Sequence, residues 1–209
     1  MKDIRTQLKE AVERGNWEDI DLSQVTSKLI EAKHAKFDGN LLHLAAWQKT
    51  LDKVPKAFLK ENYLLQQDSN LNTVIHVAAL TGTLNALPQK FLTQENLAIE
   101  NNRGWNALHM AALSGNIQDL PKESLSRDLL TTESIDSKQT PLDCAISGPL
   151  DKKKKEGIKI MVRFLNEKDI KSQISNLKEG KEGNKTEALK LLRSELIKRE
   201  VLKEENINI

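Results

Sequence analysis

A single cysteine among 209 residues rules out an intrachain disulfide, so a reducing compartment is the expected setting. Aromatic residues make up only 4% of the chain, which leaves aliphatic side chains to build its core. No apolar run approaches the roughly 20 residues a bilayer-spanning helix needs, and the charged, polar start of the chain is not that of a signal peptide. Nor does one charge dominate. With 32 Lys and Arg against 30 Asp and Glu the net charge is +2, unlike the strongly basic balance of a nucleic-acid binder. Phosphate-cradling glycine loops, paired-histidine zinc motifs and serine elbows are also missing, so no catalytic residue, cofactor or metal is assigned.

What the chain has is a repeated phrase. Leu41-Leu42-His43-Leu44-Ala45-Ala46 recurs as Val74-Ile75-His76-Val77-Ala78-Ala79 and as Ala107-Leu108-His109-Met110-Ala111-Ala112, a period of 33 residues. A fourth copy, Pro141-Leu142-Asp143-Cys144-Ala145-Ile146, places Asp143 in the histidine position 34 residues later. The N-terminal stretch fits as a degenerate first unit, with Leu8, Ala11, Val12 and Gly15 in the matching positions and Glu10, Glu13 and Arg14 facing water. The second half of each unit repeats too. Its apolar columns are Trp17, Leu51, Leu84 and Ile117; Ile20, Val54, Leu87 and Leu120; Val25, Leu59, Leu92 and Leu125; and Ile30, Leu64, Leu97 and Leu130. Apolar identity held in columns is what a continuous stacked core requires, at about 1.5–3 kcal/mol for each buried side chain.

The phrase and its period resemble those of ankyrin-repeat proteins, whose signature Thr-Pro-Leu-His-x-Ala is kept at Thr140-Pro141-Leu142 and approximated elsewhere. The family's helix-ending glycine falls at Gly82 and Gly115, whereas Lys49 occupies that position in the second unit. The resemblance implies an all-α solenoid of about five helix-turn-helix units with extra C-terminal helices. Residues 1–37 would be a capping repeat, 38–148 three full repeats and the start of a fourth, and 149–209 a closing extension. Pro55, Pro88 and Pro121 fall inside the usual second helix, so a late, short second helix is expected to begin at each, with Thr93 and Ser126 capping a further turn. Ser147 to Lys155 reads as an inserted loop, and Ile158, Met161, Val162 and Leu165 mark a closing helix. Ile170, Ile174 and Leu177 mark a shorter helix broken at Gly180 and Gly183. Thr186 is expected to cap a last helix bearing Leu189, Leu192 and Leu196, which either docks on the stack, the favoured reading, or forms a partner-binding or dimerising strip, and which frays from about Lys203.

Three histidines in register invite a metal reading, but stacked helices lie about 8–10 Å apart and a zinc–imidazole bond is about 2.0–2.1 Å. The resemblance instead gives His43, His76, His109 and Asp143 a structural role in the turn. Cys144 sits where other units have Leu44, Val77 and Met110, and is an apolar filler rather than a nucleophile. Lys152–Lys155, among acids and without interleaved aromatics, reads as a solvated loop.

Partners of similar proteins are held by the turn before the motif and the outer face of the first helix. Carried over, those positions are Trp47 and Gln48; Ser69, Asn70, Asn72, Leu80 and Thr81; and Asn102, Arg103, Trp105, Leu113 and Ser114. Gly39 lies one residue nearer its histidine than Gly104 does, so the turn before His43 is expected to be shortened. Trp47, Arg103 and Trp105 are the expected anchors, since Trp and Arg are enriched among residues that carry binding energy. Leu80 and Leu113 extend the Trp47 position into an apolar strip. The resemblance thus implies non-catalytic recognition of another protein in a cytoplasm, its own or a host's, with no small-molecule substrate and no membrane. The chain could act as an inhibitor or immunity-type blocking partner, or as a delivered effector or scaffold. A reading from another class is nucleic-acid contact by the basic C-terminal part, where residues 151–209 hold 16 basic against 11 acidic residues.

Overall fold

The computed structural model describes residues 2–33, 38–178 and 183–207. Its helices in chain order are α1 (Ile4–Arg14), α2 (Ser27–Ile30), α3 (Leu41–Trp47), α4 (Glu61–Leu64), α5 (Val74–Thr81), α6 (Gln94–Leu97), α7 (Ala107–Ser114), α8 (Arg127–Thr131), α9 (Pro141–Ile146), α10 (Lys152–Val162), α11 (Glu167–Lys178) and α12 (Gly183–Ile207). The first helices of successive units stack in order, α1 on α3, α3 on α5, α5 on α7 and α7 on α9. The fold is an all-α ankyrin-type solenoid, as its period requires.

Each inner helix starts at a residue three positions before the histidine slot. Asn40, Thr73, Asn106 and Thr140 each accept a hydrogen bond from the backbone at the slot, and the slot's side chain reaches back to the cap's amide. Two orphan donors are satisfied reciprocally at each start, which fixes where these helices of seven, eight, eight and six residues begin.

The second halves depart from expectation. No α-helix starts at Pro55, Pro88 or Pro121. Their backbone is extended, with ψ of 130°, 126° and 132°, and each leads into a single 3-10 turn, Lys56–Phe58, Gln89–Phe91 and Lys122–Ser124. The chain must then turn Leu59, Leu92 and Leu125 into the core, which leaves no room for a longer element. The short helices α4, α6 and α8 follow, and Thr93 and Ser126 cap the last two by accepting from the amides of Asn96 and Leu129. The four apolar columns are buried in the second to fourth units, and the Ile30 column throughout. Trp17, Ile20 and Val25 of the first unit are half-buried and pack against the core from one side. There the Trp17 ring lies 5.9 Å from Phe58.

After α9, Asp151 caps α10 through the amide of Lys154, so Lys152–Lys155 form its first turn and not a loop. Ile158, Met161, Val162 and Leu165 are buried, and α10 packs on α7 and α9. α12 begins at Gly183, so Thr186 lies inside it rather than at its cap, and its backbone stays helical past Lys203 to Ile207. Gly180 lies outside the described residues. α12 packs on α9, α10 and α11 with Leu192 buried and Leu189 and Leu196 half-buried.

Two positions recur in left-handed backbone along the stack, although Ser147, which closes α9, has φ of −69°. The residue closing the first helix has φ of 67° at Gly15, 76° at Gly82, 76° at Gly115 and 60° at Lys49. Five residues before the histidine slot, Asp38, Leu71, Gly104 and Lys138 have φ of 54°, 60°, 70° and 54°. Asp38, and not Gly39, therefore occupies the position of Gly104. A side chain in this conformation costs about 1–2 kcal/mol. Lys49→Gly is expected to raise the unfolding free energy by about 1 kcal/mol. Gly82→Ala should lower it by about 1 kcal/mol or more, because the new methyl would stand 3.1 Å from Asn116 Oδ1. Urea titrations of the two variants in parallel check this, and equal or reversed shifts would refute it.

Candidate functional site

The chemistry of the stack is concentrated where one unit meets the next. His43 Nδ1 accepts from its own cap amide, Asn40 N, at 3.1 Å, and His76 and His109 do the same from Thr73 and Asn106 at 3.2 Å. The other ring nitrogen faces the following unit. Nε2 of His43, His76 and His109 lies 3.0 Å from the carbonyls of Asn72, Trp105 and Gln139. A carbonyl only accepts, so Nε2 carries the proton and the rings are neutral. With both nitrogens engaged, none has a lone pair to offer a metal. Burial holds all three below the usual imidazole value, His76 and His109 at about 4. Asp143 serves the same turn by accepting from the Thr140 amide at 2.9 Å and hydroxyl at 2.7 Å, and Gln173 of α11 donates to the same pair.

A second ladder runs through the fingertips. Asp68 accepts from the amides of Asn70 and Asn72, and Asn101 does so from Arg103 and Trp105. Adjacent tips are then joined by Asn102 N donating to Asn70 O, by Asn101 Nδ2 donating to Asn72 Oδ1, and by Ile135 N donating to Arg103 O.

Against this frame the expected partner-binding residues divide. Trp47, Gln48, Ser69, Asn70, Asn102 and Arg103 are exposed, while Leu80, Thr81, Leu113 and Ser114 are half-buried between neighbouring first helices. Trp105 and Asn72 are not on the surface. Both occupy the position whose carbonyl accepts from the preceding histidine, and that position turns the side chain inward. Trp105 is 6% exposed, stacks on the His109 ring at 5.9 Å and lies 4.3 Å below the Arg103 guanidinium. Asn72 is 8% exposed and bonded to Asp68 and Asn101. The spacing held the signal, since Gln139 fills the same position before Asp143. Reading from the sequence missed Leu71 and Ile135, which stand 45% and 61% exposed at the fingertips.

Cys144 is 1% exposed, and burial pushes its thiol up to about 12, so no thiolate is present near neutrality. Among the described residues no helix is long and apolar enough to cross a membrane.

Capped inner helices, short outer turns and a side-chain ladder joining unit to unit define a stacked-repeat scaffold of the kind that presents surfaces to other proteins. The family model for ankyrin repeats, in three copies, matches residues 25–121, and that stretch of the chain is built of ankyrin repeats. No curated protein matches it.

Two outcomes follow from this geometry. Unfolded imidazoles protonate near pH 6.5, whereas His76 and His109 in the fold do so near 4, so the unfolded chain binds more protons between those values. Stability is therefore complete above about pH 6.5 and falls as the pH drops towards 4, by about 3 kcal/mol for each of the two rings. Denaturation midpoints at pH 7 and pH 5 that coincide would contradict this. Trp105→Ala should lower the unfolding free energy by about 3 kcal/mol or more, read from urea melts, as removal of a buried aromatic does. A value near that of a surface substitution would place the ring elsewhere.

Proposed function

We propose that the chain recognises another protein, without catalysis, through the face formed by its fingertip turns and first helices. Ankyrin repeats generally serve as protein-interaction modules, and the observation that carries the reading here is the placement of exposed apolar side chains. Trp47, at 43%, ends α3, and Leu71 and Ile135 stand at the tips on the other end of the first helices. In a chain with 4% aromatics, an exposed tryptophan on a rigid helix is a natural anchor. Arg103, Asn70, Asn102 and Gln48 provide a polar rim, and Leu80, Thr81, Leu113 and Ser114 form the floor. Trp105 supports this surface by holding Arg103 rather than by touching a partner.

A blocking role as an inhibitor or immunity protein, or a role as a delivered effector in a host cytoplasm, would use the same face. The basic C-terminal part gives a nucleic-acid reading little support, because Lys155 is paired with Glu187 and Lys159 with Glu156.

Trp47→Ala should leave the unfolding free energy within about 0.5 kcal/mol, as exposed substitutions do. It should weaken the complex by about 2 kcal/mol or more. Affinity capture from native lysate, followed by calorimetry on whatever the unmodified chain retains, reads both effects. A partner held equally by both forms would place the docking surface elsewhere.

A further inference from the structure

A groove of about 610 Å³ runs along the C-terminal ends of the first helices, lined by Lys49, Thr81, Thr83, Ser114, Asn116 and Lys153. Its neutral donors are nearly all used within the fold. Thr81 donates to Val77 O and Ser114 to Met110 O, while Asn116 donates to Ala79 O and to Ser114 Oγ. Thr83 Oγ1 is bonded to Thr81 Oγ1, whose own proton is already committed. Asp52 also lines the groove but is held by Lys53 at 2.9 Å. Asn85 adds an exposed amide. The strong donors left to a ligand are therefore two ammonium groups. Lys49 and Lys153 are exposed, and none of the described residues forms an ion pair with either.

Each of these lysines also stands where local structure disfavours it. Lys49 is in left-handed backbone at φ 60°, in the position that three other units fill with glycine. Lys153 is in the first turn of α10, where the aligned peptide dipoles favour acidic residues and there are none. Strained or frustrated positions cluster at functional sites, and here two unrelated ones supply the same charge to one groove.

We infer that this groove receives acidic side chains from a segment of the partner protein, its carboxylates facing Lys49 at one end and Lys153 at the other. The inference rests on the docking face proposed above, whose floor residues Leu80, Thr81 and Ser114 also line the groove. A nucleic acid is the poorer fit. Two unpaired cations beside a carboxylate offer few phosphate contacts, and no aromatic ring lines the groove for a base to stack on.

The test is an amide-resolved NMR titration of the full chain with hexaglutamate, with hexaglutamine as the neutral control and a single-stranded thymidine oligonucleotide as the alternative polyanion. Hexaglutamate is expected to shift the amides of Lys49, Thr81, Thr83, Ser114 and Lys153, less so at about 150 mM salt than at low salt. Hexaglutamine should not. Combining Lys49→Gln with Lys153→Gln should weaken hexaglutamate binding roughly tenfold without lowering the melting temperature, while Lys56→Gln with Lys122→Gln, which removes equal charge elsewhere, should leave binding unchanged. Shifts spread evenly over surface lysines, an equal loss in the control pair, or stronger shifts with the oligonucleotide would overturn the inference. No partner is needed, so the two failures separate. Groove failure with capture still dependent on Trp47 condemns the groove alone, whereas capture indifferent to Trp47 condemns the docking face beneath it.

Discussion

The stack depends on one contact, an imidazole whose first nitrogen is claimed by its own helix start and whose second donates to the backbone of the next unit. His43, His76 and His109 each make it, with Nε2 at 3.0 Å from a carbonyl 29 or 30 residues on. Because cap and acceptor are both main chain, the contact transmits the orientation of one first helix to the next without asking anything of the intervening side chains. Asn72, Trp105 and Gln139 can therefore share the acceptor position despite their chemistry. The contact works only while the rings are neutral, and the dry interior that lowers their basicity maintains that state.

Periodicity made most of the scaffold legible. Once the interval of 33 residues is seen, the capping positions, the apolar columns and the left-handed glycines follow from counting. What escaped were features set by tertiary competition. The prolines are compatible with a helix start, yet the need to turn Leu59, Leu92 and Leu125 inward converts each into the approach to a 3-10 turn. Four consecutive lysines read as a solvated loop, but Asp151 caps them and the apolar stripe beginning at Ile158 draws them into α10.

The candidate docking surface was only partly readable, for a related reason. Trp105 looked like an exposed anchor because tryptophan is costly to display, whereas its position before the cap directs it against His109. Leu71 escaped notice because apolar residues are common and its exposure comes from a left-handed backbone that lifts it off the turn. Asp38, Leu71 and Lys138 hold this conformation without glycine, and at the tips of Leu71 and Lys138 inter-unit hydrogen bonds to Asn70 and from Ile135 support it.

The exchange of histidine for Asp143 reaches beyond the fourth unit. A carboxylate has no proton to pass to a further carbonyl, and Gln173 of α11 covers the place where one would sit. The array thus carries its own terminator. Lengthening by duplication after this point would leave the newcomer without the imidazole contact, whereas a copy inserted in the interior, between His43 and His109, would both receive and give it.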